Sequence, residues 1–181
     1  MKKKLICIEG KTGVGKDTFA NFIHEKTNIP IVCSYTTRDI REGEVNGIQH
    51  YYITPEEMQK LLEAEDVIAY AKKESGVEYA ATYHSLADES IYIVDPTGIY
   101  YLREHYADKI DLYVIQLLCP EEIVEERIKA RGDNWDKFLE RRENEREEFD
   151  SFNLWDISLT TTLDSETMYK MFKDGYNLKT K

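Results

Sequence analysis

The sequence predicts an α/β fold with a mainly parallel sheet. Short continuous apolar runs recur along the chain, stretches of helical periodicity separate them, and a glycine-rich loop joins the first run to the first such stretch. Apolar runs without alternation are what strands buried on both faces require, and strands alternating with helices build parallel sheets. The 181 residues suffice for one domain with a real core.

In order, Leu5 to Ile8 reads as a buried strand, and Gly10 to Gly15 as the loop. Phe19, Ala20, Phe22 and Ile23 then recur at helical spacing. Ile29 to Cys33 suggests a second strand. Residues 35–89 are polar and rich in tyrosine, with a helix near Pro55 to Glu65 and short strands around Val67–Ala71 and Val77–Ala80. The buried-strand pattern returns at Ser90–Asp95 and at Leu112–Leu118. Pro120-Glu121-Glu122 opens a helix, since proline suits the first turn and acids suit the positive end of the dipole. Gly132 stops it. A charged helix over about 134–149, a strand at Asp156–Leu159 and a helix at Ser165–Phe172 complete the chain. The whole is a three-layer α/β/α core carrying a tyrosine-rich insertion.

The formal net charge of −11 opposes nucleic-acid backbones and anionic membranes as partners. A polyanionic substrate therefore needs a local cluster of basic side chains. The cysteines Cys7, Cys33 and Cys119 each lie in or beside an apolar run and read as buried thiols of a reducing compartment. The apolar run after Lys2-Lys3-Lys4 stops at Glu9, too soon for a secretory signal, so the expected location is cytoplasmic.

Gly10-Lys11-Thr12-Gly13-Val14-Gly15-Lys16-Asp17-Thr18 carries the strongest chemical signal. Between a strand and a helix, such a loop is a P-loop: its glycines let backbone N–H groups converge on phosphate oxygens, with the helix dipole behind them. Gly10, Gly13, Val14 and Gly15 are expected to cradle ATP, and Lys16 to bridge its β- and γ-phosphates. Asp17 stands where the pattern has a magnesium-binding Ser or Thr. It is a candidate Mg²⁺ ligand, with Thr18 a candidate donor to the α-phosphate. Asp95 ends a strand at the same crevice. Metal, acceptor and a helix cap are all open roles for it.

Directly after the second strand come Ser34-Tyr35-Thr36-Thr37-Arg38-Asp39-Ile40-Arg41-Glu42-Gly43-Glu44-Val45-Asn46-Gly47. Arg38 and Arg41, three apart, suit a bidentate phosphate clamp. With the glycine loop, with Gly76-Val77-Glu78-Tyr79, with Asp95 before Gly98, and with Arg131-Gly132 and the arginine-bearing stretch after it, this segment resembles guanylate kinase.

The resemblance implies a core of 1–34, 90–130 and 151–181, an acceptor-binding insertion at 35–89 and a helical lid at 131–150. It implies transfer of the ATP γ-phosphate to GMP or dGMP, with Mg²⁺, in a monomer or homodimer whose partners are small nucleotides. Arg38, Arg41 and Tyr79 fall on acceptor-phosphate positions, as does His50, where the family has a tyrosine. Ser34 and Asp95 fall on base-reading positions. Arg131 falls where the family packs on adenine and reaches the phosphates, and Arg142 where it closes over the transferring phosphoryl, with Arg141 the alternate.

Two base-reading positions depart from the pattern. The family glutamate falls on Ala69 and a serine on Ala81, with Glu74 and Thr82 as possible substitutes. The base is thus open between guanine and another nucleoside monophosphate. A kinase of the same fold for another small phosphate ester, and a non-catalytic binding module, are the remaining readings.

Overall fold

The fold is described from a computed structural model, over residues 2–41, 43–64, 67–73 and 75–179. Among these described residues, eight strands form two four-stranded sheets. The first contains β1 (Lys3–Glu9), β6 (Glu89–Ile93), β7 (Ile110–Leu118) and β8 (Ile157–Thr160) in the order β6-β1-β7-β8, all parallel. β1 is central and pairs with β6 through Ile6↔Ile91 and with β7 through Ile6↔Tyr113. Both of its faces are covered, which is why it reads as one unbroken apolar run.

Alternation along β1 feeds two cores. Ile6 and Ile8 pack with Phe19, Ala20 and Ile23 of α1 (Lys16–Thr27), with Val124 and Ile128 of α4 (Glu121–Arg131), and with Met168 and Phe172 of α6 (Ser165–Lys179). Leu5 and Cys7 face the other way, onto Ile99 and Leu102 of α3 (Pro96–His105). Each of these large side chains is essentially inaccessible, and such burial contributes roughly 1.5–3 kcal/mol apiece. The α/β/α layering is as the sequence predicts.

The insertion has its own sheet, order β3-β2-β5-β4: β2 (Ser34–Thr36), β3 (His50–Tyr52), β4 (Val67–Lys72) and β5 (Glu78–Thr82). β2 pairs parallel with β3 and antiparallel with β5, which pairs antiparallel with β4. Helix α2 (Pro55–Glu63) lies over it, opened by a capping box between Thr54 and Glu57. Met58, Val67 and Ala80 form a small core there. The strand expected at 29–33 reduces to one bridge, Ile31↔Ile91. The chain leaves the core sheet there and enters the second sheet at Ser34, because Tyr35 finds its partners in Tyr51 and Ala80.

Helix α5 (Trp135–Asp150) follows α4 after the left-handed Gly132, and Asn134 caps it by accepting the Lys137 N–H at 2.9 Å. Among the described residues, no helix is long and apolar enough to cross a membrane.

Candidate active site

The glycine loop leaves the C-terminal end of β1 and turns into α1. Gly10, Gly13 and Gly15 all have positive φ, at 148°, 88° and 102°. At two of them space also excludes a side chain. A Cβ on Gly10 would lie 2.6 Å from the Leu117 carbonyl oxygen, and one on Gly13 would lie 2.7 Å from Val124 Cγ1. Val14 is buried and anchors the turn. Lys16, the first residue of α1, folds back and donates from Nζ to the carbonyls of Gly10 (2.5 Å) and Lys11 (3.1 Å). Burial pushes its pKa down, while the carboxylates of Glu145, Asp17 and Glu9 push it back up. Asp17 and Thr18 follow, both exposed.

Arg127 on α4, unremarked as a functional residue in the sequence, braces the loop from beneath. Its Nη1 donates to Val14 O (3.3 Å) and Thr161 Oγ1 (3.0 Å), and its Nη2 to Thr161 O (3.0 Å).

Across the crevice, Arg38 makes a bidentate pair with Glu44, at 2.9 Å and 3.0 Å. Glu44 also accepts from Tyr52 Oη (2.8 Å) and from the Arg41 N–H (2.8 Å). The Arg38 guanidinium holds the Glu44 carboxyl down to about 2. The Arg41 side chain is exposed. Ser34 Oγ lies 2.9 Å from His50 Nδ1, as their register on β2 and β3 dictates, and the His50 ring meets Tyr79 edge-on at 5.8 Å. Burial lowers the His50 pKa.

Asp95 caps α3 by accepting the Gly98 N–H at 3.0 Å, and its other oxygen pairs with Lys73 at 2.8 Å. Ala69 and Ala81 are cross-strand partners, buried in the core cluster that includes Ile99. Thr82 is buried beside them, and Glu74 lies outside the described residues.

A cavity of about 960 Å³ takes in part of this set and leaves out Lys16, Ser34, Arg41 and His50: its lining includes Thr12, Arg38, Lys73, Tyr79, Asp95 and Arg141. The last of these shows what the sequence blurred. On α5 the positions 137, 140, 141, 144, 145 and 148 line the cavity, one face of a 3.6-residue helix. Arg142 falls off that face and pairs with Glu121, and its Nη1 is buried without a hydrogen-bond partner among the described residues. Arg131 is exposed and pairs with Asp133. Lys73, Glu145 and Arg127 escaped the sequence reading. For Glu145 the signal was there, in the four-residue spacing from Lys137 through Arg141.

A strand–glycine loop–helix unit with a lysine at its turn, opening on a cavity whose charged lining includes Arg38, Lys73 and Arg141, is the arrangement of a P-loop phosphotransferase. The guanylate kinase family model matches residues 2–174. A guanylate kinase of Symbiobacterium thermophilum is 29% identical over 147 residues, covering 78% of this chain and 69% of the relative. One of Trichodesmium erythraeum is 24% identical over 183 aligned positions, covering 94% of each. Among solved structures, guanylate kinase from Anaplasma phagocytophilum superposes with a TM-score of 0.74 at 21% identity, over 99% of this chain and 87% of the other. A gluconokinase from Sinorhizobium meliloti 1021 reaches 0.52 at 12% identity, over 97% and 95%, a likeness of fold. The chain belongs to the guanylate kinase family. It is an ATP-dependent nucleoside monophosphate kinase.

Proposed function

We propose that the chain transfers the γ-phosphate of ATP to GMP or dGMP, giving ADP and the nucleoside diphosphate. The observation that carries this is the single cavity shared by Thr12 of the loop, Arg38 and Tyr79 of the insertion, and Arg141 of α5. Donor loop and acceptor clamp thus face one space, as in-line transfer requires.

In this reading Gly10, Gly13, Val14 and Gly15 present backbone N–H groups to ATP, and Lys16 exchanges its carbonyl partners for phosphate oxygens. Arg38 exchanges Glu44 for the acceptor phosphate, with Arg41, His50 and Tyr79 around it. Ser34 and Asp95 face the base. Arg131, exposed at the end of α4, folds over the adenine. Arg141 neutralises the transferring phosphoryl, the place expected of Arg142. Residues 35–89 bind the acceptor, and 131–150 close as a lid that excludes water.

A phosphate monoester is largely ionised at neutral pH, its second pKa being about 6, so no general base is needed. Magnesium binds through one or two carboxylates together with phosphate oxygens and water. Asp17, an exposed carboxylate at the mouth of the loop, fits that donor set. When bound there, Mg²⁺ neutralises charge on the transferring phosphates. Asp95 is the second candidate, once Lys73 gives way. The three unpaired thiols support a cytoplasmic setting.

A second reading, another nucleoside monophosphate as acceptor, is favoured by two observations. Ala69 and Ala81 place methyl groups where the resemblance expects polar ones, and Asp95 is engaged by Lys73. The test is ADP release with ATP and GMP, dGMP, AMP, CMP, UMP or dTMP. Preference for GMP and dGMP is expected; equal or better turnover of another acceptor transfers the assignment to that base.

A further inference from the structure

Helix α5 touches the nucleotide loop through acids. The Glu145 carboxylate straddles Thr12: Oε2 accepts the backbone N–H at 2.7 Å and Oε1 accepts the hydroxyl at 2.5 Å. Three residues on, Glu148 repeats the clamp on Thr97, accepting its N–H at 3.0 Å and its hydroxyl at 2.7 Å. Asp150 pairs with Lys11 at 2.5 Å.

Three features set Glu145 apart from its neighbours. Thr12 belongs to the loop built to present N–H groups to anions, and a carboxylate taking an N–H and an O–H from one loop residue makes the contact a phosphate would make. Thr12 also lines the acceptor cavity, so its end of the loop is where the phosphoryl to be transferred must face. Finally, the charge of Glu145 acts on Lys16, which is itself turned onto the carbonyls of Gly10 and Lys11. The loop's cation and its cavity-facing donor are both engaged within the chain.

We propose that Glu145 is a tethered anion that occupies the γ-phosphate end of the loop, so that ATP must expel it to bind. The proposal rests on reading Gly10 to Lys16 as the phosphate cradle. A carboxylate and a γ-phosphate cannot share Thr12, because like charges at contact repel. Arg141 lies one turn earlier on the same cavity-lining face and is the cation that takes over as Glu145 leaves. Glu145 thereby weakens ATP binding while leaving the chemical step untouched.

Glu145→Gln tests this in the full chain, since glutamine keeps the size and one acceptor oxygen for the Thr12 N–H while it removes the charge. Two quantities are read: the Kd of inorganic tripolyphosphate by calorimetry, and KM for ATP against kcat at saturating acceptor. Both Kd and KM are expected to fall about fivefold to tenfold, the worth of one charge-assisted contact, with kcat within about twofold. Glu147→Gln removes the same charge from an exposed position on α5 and is expected to change neither quantity beyond about twofold. Unchanged or weaker binding by Glu145→Gln overturns the proposal, as does equal tightening by Glu147→Gln. If tripolyphosphate binds neither the native chain nor Glu145→Gln, while circular dichroism shows both folded, the phosphate-cradle reading falls and takes the proposal with it.

Discussion

Glu9 shows how much one side chain beneath the loop can impose. It ends β1, is 1% exposed, and has one carboxylate oxygen buried without a hydrogen-bond partner among the described residues. Burial pushes its pKa from an ordinary 4.5 up to about 7, against the opposing pull of Gln116 and Lys16. The unfolded chain releases this proton near 4.5, whereas the folded chain holds it to about 7. Stability from this group is therefore full on the acid side of 4.5 and is lost as pH rises through 7. The loss is on the order of 3 kcal/mol at 1.36 kcal/mol per unit. Glu44 has the opposite sign: Arg38 holds it down to about 2, so its contribution is present above 4.5 and is lost as pH falls toward 2. The two windows do not overlap. Glu9→Gln is accordingly predicted to flatten the decline in Tm between about pH 5 and 8 without altering the acid limb. Parallel Tm profiles for variant and native chains would remove the assignment.

At the scale of the element, helical phase decides which arginine of α5 faces the cavity. The α5 residues that line the cavity fall at 137, 140, 141, 144, 145 and 148, and Arg142, about 100° round the helix from Arg141, lies outside that set. Sequence resemblance, which counts positions, cannot separate them, whereas the packing of Phe138 against the core fixes the phase of α5. Arg141→Ala is predicted to lower kcat about 10²- to 10³-fold, as expected for loss of a charge that stabilises a transition state. Arg142→Ala deletes a mostly buried guanidinium and leaves Glu121 unpaired. Its effect is predicted in Tm, with kcat within about threefold. The reverse pattern in steady-state kinetics and thermal melts would return the role to Arg142. The same helix marks a limit of legibility: its start and its charge could be read from the chain, but the partners of Glu145 and Glu148 could not. Thr12 and Thr97 lie far away in sequence, and only folding brings them to α5.

For the whole molecule, legibility followed burial. Strands β1, β6 and β7 were readable because solvent is excluded from the middle of the parallel sheet, which leaves continuous apolar runs. β3 was not, because His50-Tyr51-Tyr52 is a three-residue edge strand of half-exposed rings. The second sheet as a unit was equally hidden, since its order depends on partners such as Tyr35↔Ala80. The two sheets meet where β4 packs on α3: a Cβ built on Gly98 would lie 3.7 Å from the Ala69 Cβ. Lys73, just past β4, adds a strap by pairing with Asp95 of the core. Apolar packing should dominate this junction, because a partly exposed ion pair contributes only about 0–1 kcal/mol. Lys73→Met is therefore predicted to loosen the insertion without unfolding it. Amide hydrogen exchange should speed up about twofold to fivefold in β4 and β5, with β1 and β7 unchanged. Uniform acceleration across both sheets would show that Lys73 supports the whole fold. No change anywhere would leave Ala69 and Gly98 as sufficient to hold the insertion on the core.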